Sequence, residues 1–221
     1  MDKLLSDESI RDAIIVDFEG RTDRAPILLG VRWPLADGRA QIEQLVLNAR
    51  FAPAAIARGL LMSSIEEAVQ AVVERSEAEG LPIAGWSRHE IDVVADHCSA
   101  RLARRFTERY LDAKVTAKSA RARRRVELPP ARGREKRHAL GRYLKLVGYD
   151  VPFPYGPGWT GETIRVVGAA LDRHCAWSLL TPHQKRRWSF LLSHNRADLE
   201  GTAAVIGWAT SVLADPDRVA A

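Results

Sequence analysis

The chain has 221 residues, of which 46% are hydrophobic and 28% are charged, as expected for one soluble domain with a packed core. No apolar run reaches the about 18 residues that span a membrane, and the acidic N-terminus lacks a signal-peptide pattern. The two cysteines, Cys98 and Cys175, form no CxxC motif, which excludes a disulfide framework and disfavours a zinc site. We therefore expect a cytoplasmic protein without a membrane segment.

Three apolar runs near the N-terminus predict a small antiparallel sheet. The β-branched run at residues 12–18 predicts a buried strand, and the runs at 26–33 and 41–48 predict two more. Polar turns at 20–25 and 36–38 separate them. Because short turns join neighbouring antiparallel strands, we expect a three-stranded meander.

The remainder of the chain alternates between helical and strand-like patterns. Helices are predicted at 64–79, 87–110, 134–147, 161–174 and 181–213, the last with a break near 193–194. Short strands are predicted at 81–86 and 111–118, and residues 148–160 predict a loop rich in Gly and Pro. This order predicts a single α/β or α+β domain over residues 1–221, with one mixed sheet flanked by helices.

Positive charge is concentrated in one segment. Residues 101–145 contain 16 Lys or Arg against 4 acids, whereas the remainder has 17 basic and 24 acidic residues. Such a segment indicates a polyanionic partner, DNA or RNA, although a solvated helical face is an equally good interpretation. Its centre, about 114–137, also has the composition of a flexible loop. The candidate nucleic-acid contacts are Lys114, Lys118, Arg121, Arg123, Arg124 and Arg125.

Acidic residues at three places suggest a metal site. Asp17 and Glu19 are two apart at the end of the first strand, so they point to one face. Two converging carboxylates favour a hard divalent cation such as Mg²⁺, although exposed acids at a strand end are common. Glu90 begins the helix after the strand at 81–86, where Ser87 and Glu90 also fit a capping box. Asp92 is the neighbouring alternative, on another side of that helix.

The third place is on the last helix, where His194 and Asp198 are four residues apart and share a helical face. An Asp that binds metal beside a His that accepts a proton from water suits hydrolysis. The alternatives are a surface ion pair, or Asn195 acting as the cap of a second helix.

The order and spacing of these residues resemble the DEDD exonuclease superfamily, within the ribonuclease H-like fold. There, D-x-E lies on the first strand, a second acid begins the helix after a central strand, and a Tyr or His precedes the last Asp in a C-terminal helix. The likeness extends to predicted exonuclease domains associated with RecB-type nucleases, in the segments GWSRHE (85–90) and LGRYLKLVGYDVP (140–152), and spans roughly 14–212. Two positions depart from the pattern. Glu90 stands where most members have Asp, and His194 occupies the Tyr position of a four-residue step.

This resemblance implies a 3′–5′ exonuclease in which Asp17, Glu19, Glu90 and Asp198 hold two Mg²⁺ or Mn²⁺ ions and His194 orients or deprotonates the attacking water. It also implies a helicase or nuclease as a protein partner. Trp86, and Trp159 in the Gly/Pro loop, are candidates for stacking on a base, with core packing and loop anchoring as the alternatives.

Two other functions stay open. The departures at Glu90 and His194 are compatible with a nucleic-acid-binding module that has the fold without turnover. A different enzyme could use Asp17, Glu19 and Asp198 as a metal site for a nucleotide, although the basic segment argues against a small substrate.

Overall fold

A computed structural model describes residues 12–20, 25–131, 135–151 and 159–214. Within these ranges one mixed sheet has the strand order β4-β3-β2-β1-β5-β6. The strands are β1 Ile14–Glu19, β2 Leu28–Pro34, β3 Ala40–Val46, β4 Leu61–Met62, β5 Ile83–Gly85 and β6 Tyr110–Asp112. Strands β1 to β3 form an antiparallel meander, β5 runs parallel to β1, and β6 runs parallel to β5. The predicted α/β architecture, with a meander extended by parallel strands, is confirmed.

Helices cover both faces of this sheet. They are α1 Ala52–Ala57, α2 Ile65–Glu79, α3 His89–His97, α4 Ala100–Arg109, α5 Ala113–Arg124, α6 Leu140–Leu146, α7 Trp159–His174 and α8 Pro182–Ala214. Ser64 and Glu67 form a capping box at the start of α2, and Gly80 ends this helix at a φ of 69°. Among the described residues, no helix has the length and apolar content to cross a membrane.

The alternation of β1 divides its side chains between two cores. Val16 and Phe18 pack with α2, α3 and α4 on one face of the sheet. Ile15 packs with Leu199 of α8 on the other face. Because Asp17 and Glu19 follow Ile15 at intervals of two, they lie on the face that α8 covers.

Two predictions between β5 and α5 were wrong. The helix expected at 87–110 is divided into α3 and α4, because Ser99 is held at the break by Glu66, whose carboxylate accepts from the Ser99 backbone N–H at 2.9 Å and its hydroxyl at 2.7 Å. The strand expected at 111–118 ends at Asp112. The Asp112 side chain accepts hydrogen bonds from the backbone N–H groups of Lys114 and Val115 and begins α5 there. This cap overrides the strand preference of the β-branched residues that follow.

Further differences concern the basic segment and the last helix. The segment at 114–137 is helical as far as Arg124, and the helix predicted at 134–147 is confined to α6. Residues 132–134 of that segment, and 152–158 of the predicted Gly/Pro loop, lie outside the described residues. The break predicted near 193–194 is absent, since α8 is continuous there. Asn195 is therefore inside a helix and caps nothing; burial of this helix against the sheet outweighs the weak helix propensity of Ser, His and Asn.

Candidate metal centre

The central strand and its parallel neighbour bring the predicted acids to one edge of the sheet. Asp17 and Glu19 are at the C-terminal end of β1. Glu90 is in the first turn of α3, directly after β5, which pairs with β1. His194 and Asp198 approach the same edge from α8, which packs against β1.

Three of these residues form one compact group. Candidate ligand atoms of Glu19, His194 and Asp198 all lie within 4.8 Å of one another. His194 Nε2 lies 3.7 Å from Asp198 Oδ2 and 4.0 Å from Glu19 Oε1. Glu19 is 6% exposed, and its Oε1 has no hydrogen-bond partner among the described residues. A buried carboxylate oxygen without a donor is the kind of atom that a cation would stabilise.

Asp17 and Glu90 lie around this group rather than inside it. Burial and the charge of Asp198 raise the pKa of Asp17 to about 7. Burial, then Asp17 and Asp198, raise the pKa of Glu19 well above its ordinary range, although a hydrogen bond from Thr160 of α7 opposes this. Burial and Asp17 raise the pKa of Glu90 to about 8. These carboxylates therefore repel one another in a poorly hydrated place.

The environment of Glu90 differs from a capping box. Glu90 is 3% exposed, and its Oε2 accepts a hydrogen bond of 2.8 Å from Tyr110 Oη at the start of β6. Ser87 Oγ accepts from the His89 backbone N–H, and Arg88 is the N-cap, so the predicted reciprocal pair does not form. Asp92, the alternative acid, is exposed.

No lysine or arginine of the described residues forms a salt bridge with Asp17, Glu19 or Glu90. The side chains that donate hydrogen bonds to these carboxylates are neutral, namely Asn195, Thr160 and Tyr110. Elsewhere, acids such as Glu77 and Asp172 pair with arginines. Burial also lowers the pKa of His194, against the opposing charge of Asp17, which favours the neutral imidazole. The candidate metal ligands are carboxylates and one imidazole, and no lysine or arginine of the described residues pairs with Asp17, Glu19 or Glu90. Ligands of this kind fit a divalent metal ion.

Asn195 is a site residue that the sequence pattern did not identify. It is fully buried, and its Nδ2 donates to Asp17 Oδ2 at 2.8 Å. A signal was present, because Asn195 occupies the apolar stripe of α8 four residues after Leu191 and four before Leu199. Tyr110 was missed as well, since the three-residue strand that it begins has no distinctive pattern.

The predicted nucleic-acid contacts fall into two groups. Lys118, Arg124 and Arg125 are exposed and Lys114 is half-buried, so these side chains are available to a ligand. Arg121 and Arg123 instead donate to the carbonyls of Val126 and Leu213, at 3.3 and 2.9 Å, and stabilise helix ends.

The two tryptophans also differ. Trp86 packs edge-on against Tyr143 and donates to the carbonyl of His138 at 3.3 Å, which supports core packing. Trp159 lines a small pocket that also includes Thr160 and His194. Its ring lies beside the candidate metal centre, with Phe190 against it.

Comparison with known proteins identifies no relative: no protein-family model, curated protein sequence or solved structure matches the chain.

Proposed function

We propose that the chain is a divalent-metal-dependent nuclease with a ribonuclease H-like fold, acting as a 3′–5′ exonuclease on DNA or RNA. The observation that carries this proposal is the group of Glu19, His194 and Asp198 at the end of β1, with Asp17 and Glu90 beside it. The meander followed by parallel strands supports the fold assignment. Two free cysteines suit the reducing cytoplasm.

Asp17, Glu19, Glu90 and Asp198 would hold Mg²⁺ or Mn²⁺, because carboxylate oxygens are the ligands these ions prefer. Such ions, when bound, make a coordinated water more acidic and neutralise charge that develops on a phosphodiester during hydrolysis. The positive charge of the ions would offset the repulsion among the acids, so binding of the ions would stabilise the folded protein.

His194 would act on the attacking water. Its Nε2 faces Glu19 and Asp198, and burial favours the neutral form that accepts a proton. A neutral imidazole at this place can orient a water molecule and take its proton as the phosphorus–oxygen bond forms. Thr160 donates to Glu19 and helps to hold that carboxylate.

The exposed cations of α5 would bind the phosphate backbone. Lys118, Arg124 and Arg125 lie on or just after a helix that packs against α8, the helix that carries His194. Phosphate contacts of this kind release counterions, so we expect binding to weaken as salt concentration rises.

The test is degradation of 5′-labelled single- and double-stranded DNA and RNA, with Mg²⁺, Mn²⁺ or EDTA. We expect a ladder that shortens from the 3′ end, abolished by EDTA and by Asp17→Asn. Asp92→Asn is the matched control, because Asp92 is an exposed acid two residues after Glu90, on another side of α3. Degradation that persists in Asp17→Asn would refute the assignment of the site.

The second candidate is a nucleic-acid-binding module without turnover, and the environment of Glu90 favours it. Burial and the charge of Asp17 favour the protonated form of this acid and outweigh the hydrogen bond from Tyr110, which lowers its pKa; this weakens one corner of the metal site. Labelled nucleic acid that binds to the protein but is not cleaved in Mn²⁺ would support this candidate. The cleavage assay is run at about pH 8.5, above the pKa of Glu90 of about 8, so that this acid is ionised. Turnover of mononucleotides without polymer binding would instead indicate a nucleotide-acting enzyme.

A further inference from the structure

We infer that Asn195 is a positioning residue that fixes the carboxylate of Asp17 for cation binding, and that Gln44 fixes Asn195 in turn. This inference rests on the proposed function, because it assigns a role within the same metal site. The two residues come from α8 and β3, so the network connects the last helix to the meander across β1 and β2.

Asn195 holds Asp17 at two atoms. Its Nδ2 donates to Asp17 Oδ2 at 2.8 Å and to the Asp17 backbone carbonyl at 3.1 Å. Both N–H bonds of the amide are thereby directed at one residue. Rotation of the Asp17 side chain would break the first bond, and displacement of β1 from α8 would break the second.

Gln44 determines which way the Asn195 amide faces. Gln44 Nε2 donates to Asn195 Oδ1 at 2.8 Å and to the Leu192 carbonyl at 2.8 Å. Because an amide nitrogen only donates, its neighbour at Asn195 must be the oxygen, and Nδ2 is turned to Asp17. A flipped Asn195 would place two donors together and leave a buried oxygen against the Asp17 carboxylate.

Gly30 provides the space for this arrangement. It pairs with Asp17 across the β1–β2 ladder, and a Cβ added there would overlap Asn195 Oδ1. The close approach of the amide to the sheet therefore requires glycine at this position. Three strands and one helix are thus arranged around a single buried amide whose donors point to a proposed metal ligand.

The network differs from ordinary buried polar groups on the same helix. Thr210 is also fully buried, and its hydroxyl donates to the carbonyls of Ile206 and Gly207 within α8. Thr210 thus serves the helix itself, whereas Asn195 reaches across to a functional carboxylate. Thr210→Val is consequently a matched control for the loss of a buried hydrogen bond on α8.

The experiment measures Mn²⁺ binding to the folded full-length chain by calorimetry and by the electron paramagnetic resonance of free Mn²⁺. We expect Asn195→Ala to weaken Mn²⁺ binding by about 10-fold or more, the usual effect of removing a residue that orients a metal ligand. Thr210→Val should change it by less than about 2-fold. Asp17→Asn, measured in parallel, reports on the metal site itself.

The outcomes separate the two proposals. If Asp17→Asn leaves Mn²⁺ binding unchanged, the proposed metal site is wrong. If Asp17→Asn abolishes binding and Asn195→Ala behaves like Thr210→Val, the role of Asn195 is overturned while the metal site stands. Should Asn195→Ala fail to fold, Gln44→Met decides, because it removes the donor that orients the amide and leaves Asn195 itself in place. An unchanged affinity in Gln44→Met would overturn the inference, and a loss of about 3-fold or more would support it.

Discussion

Replacing Asp17 by Asn should stabilise the protein when divalent metal is withheld. The charge of Asp17 is buried beside Asp198, which raises its pKa from 3.8 to about 7. A carboxyl group with a raised pKa binds its proton more tightly in the folded state than in the unfolded state. Its stabilising contribution is therefore complete below about pH 4 and is lost as the pH rises through 7.

The magnitude follows from the size of this shift. One pKa unit corresponds to about 1.4 kcal/mol, so a pKa of about 7 in place of 3.8 means that ionised Asp17 costs on the order of 4 kcal/mol at pH 8. Asn keeps an oxygen that accepts the hydrogen bond from Asn195 and carries no charge. Allowing for burial of the amide, we expect a gain of about 2–4 kcal/mol, or roughly 5–15 °C in Tm for a domain of this size.

The assay is thermal and urea unfolding in EDTA at pH 5, 6.5 and 8, with Asp92→Asn as the control at an exposed acid. The advantage of Asp17→Asn should grow with pH between 5 and 8, and Asp92→Asn should show none. Addition of millimolar Mg²⁺ should stabilise the wild type and not Asp17→Asn, because a ligand stabilises only a fold that binds it. An Asp17→Asn protein that is less stable than the wild type at pH 8 in EDTA would refute the argument.

Three further changes test the core, the support of Glu90 and the basic surface. Trp188→Ala removes a fully buried ring and should lower the free energy of unfolding by about 3–5 kcal/mol, measured in urea. The Cβ of Gly85→Ala would overlap the hydroxyl of Tyr110, which donates to Glu90. This change should lower Mn²⁺ affinity by about 10-fold, whereas an unchanged affinity would show that the hydrogen bond from Tyr110 to Glu90 is dispensable. The double variant Lys118→Ala/Arg125→Ala should weaken DNA binding alike for different sequences and reduce the slope of log K against log salt by about 2; an unchanged slope would place the DNA elsewhere.

Patterns with a short period predicted much of this fold. Short apolar runs located β1, β2 and β3 to within about two residues, and helical periodicity located α2. The wrong predictions are at positions where a residue far away in the sequence determines the local structure. The break between α3 and α4 depends on Glu66, which is 33 residues away from Ser99, and no local pattern contains that contact.

The candidate site shows the same division. Its acids and His194 were predicted from their order along the chain, and the fold brings them to one edge of the sheet. The residues that hold them were not predicted, because Gln44 and Asn195 are 151 residues apart. The Gln44 and Asn195 side chains interact only because the fold places them side by side, and Gly30 leaves space for the Asn195 amide.

The choice of these supporting residues has a chemical consequence for cation binding. An arginine beside Asp17 or Glu90 would fix the carboxylate firmly, but it would also neutralise the charge that attracts a metal ion. Asn195 and Tyr110 fix the same carboxylates through neutral donors, so position is specified without a positive charge beside the acids. The repulsion that results destabilises the metal-free fold, and binding of a divalent ion relieves it. A protein that restrains its acids without neutralising them should therefore respond to metal removal and to Asp17→Asn with stability changes of opposite sign.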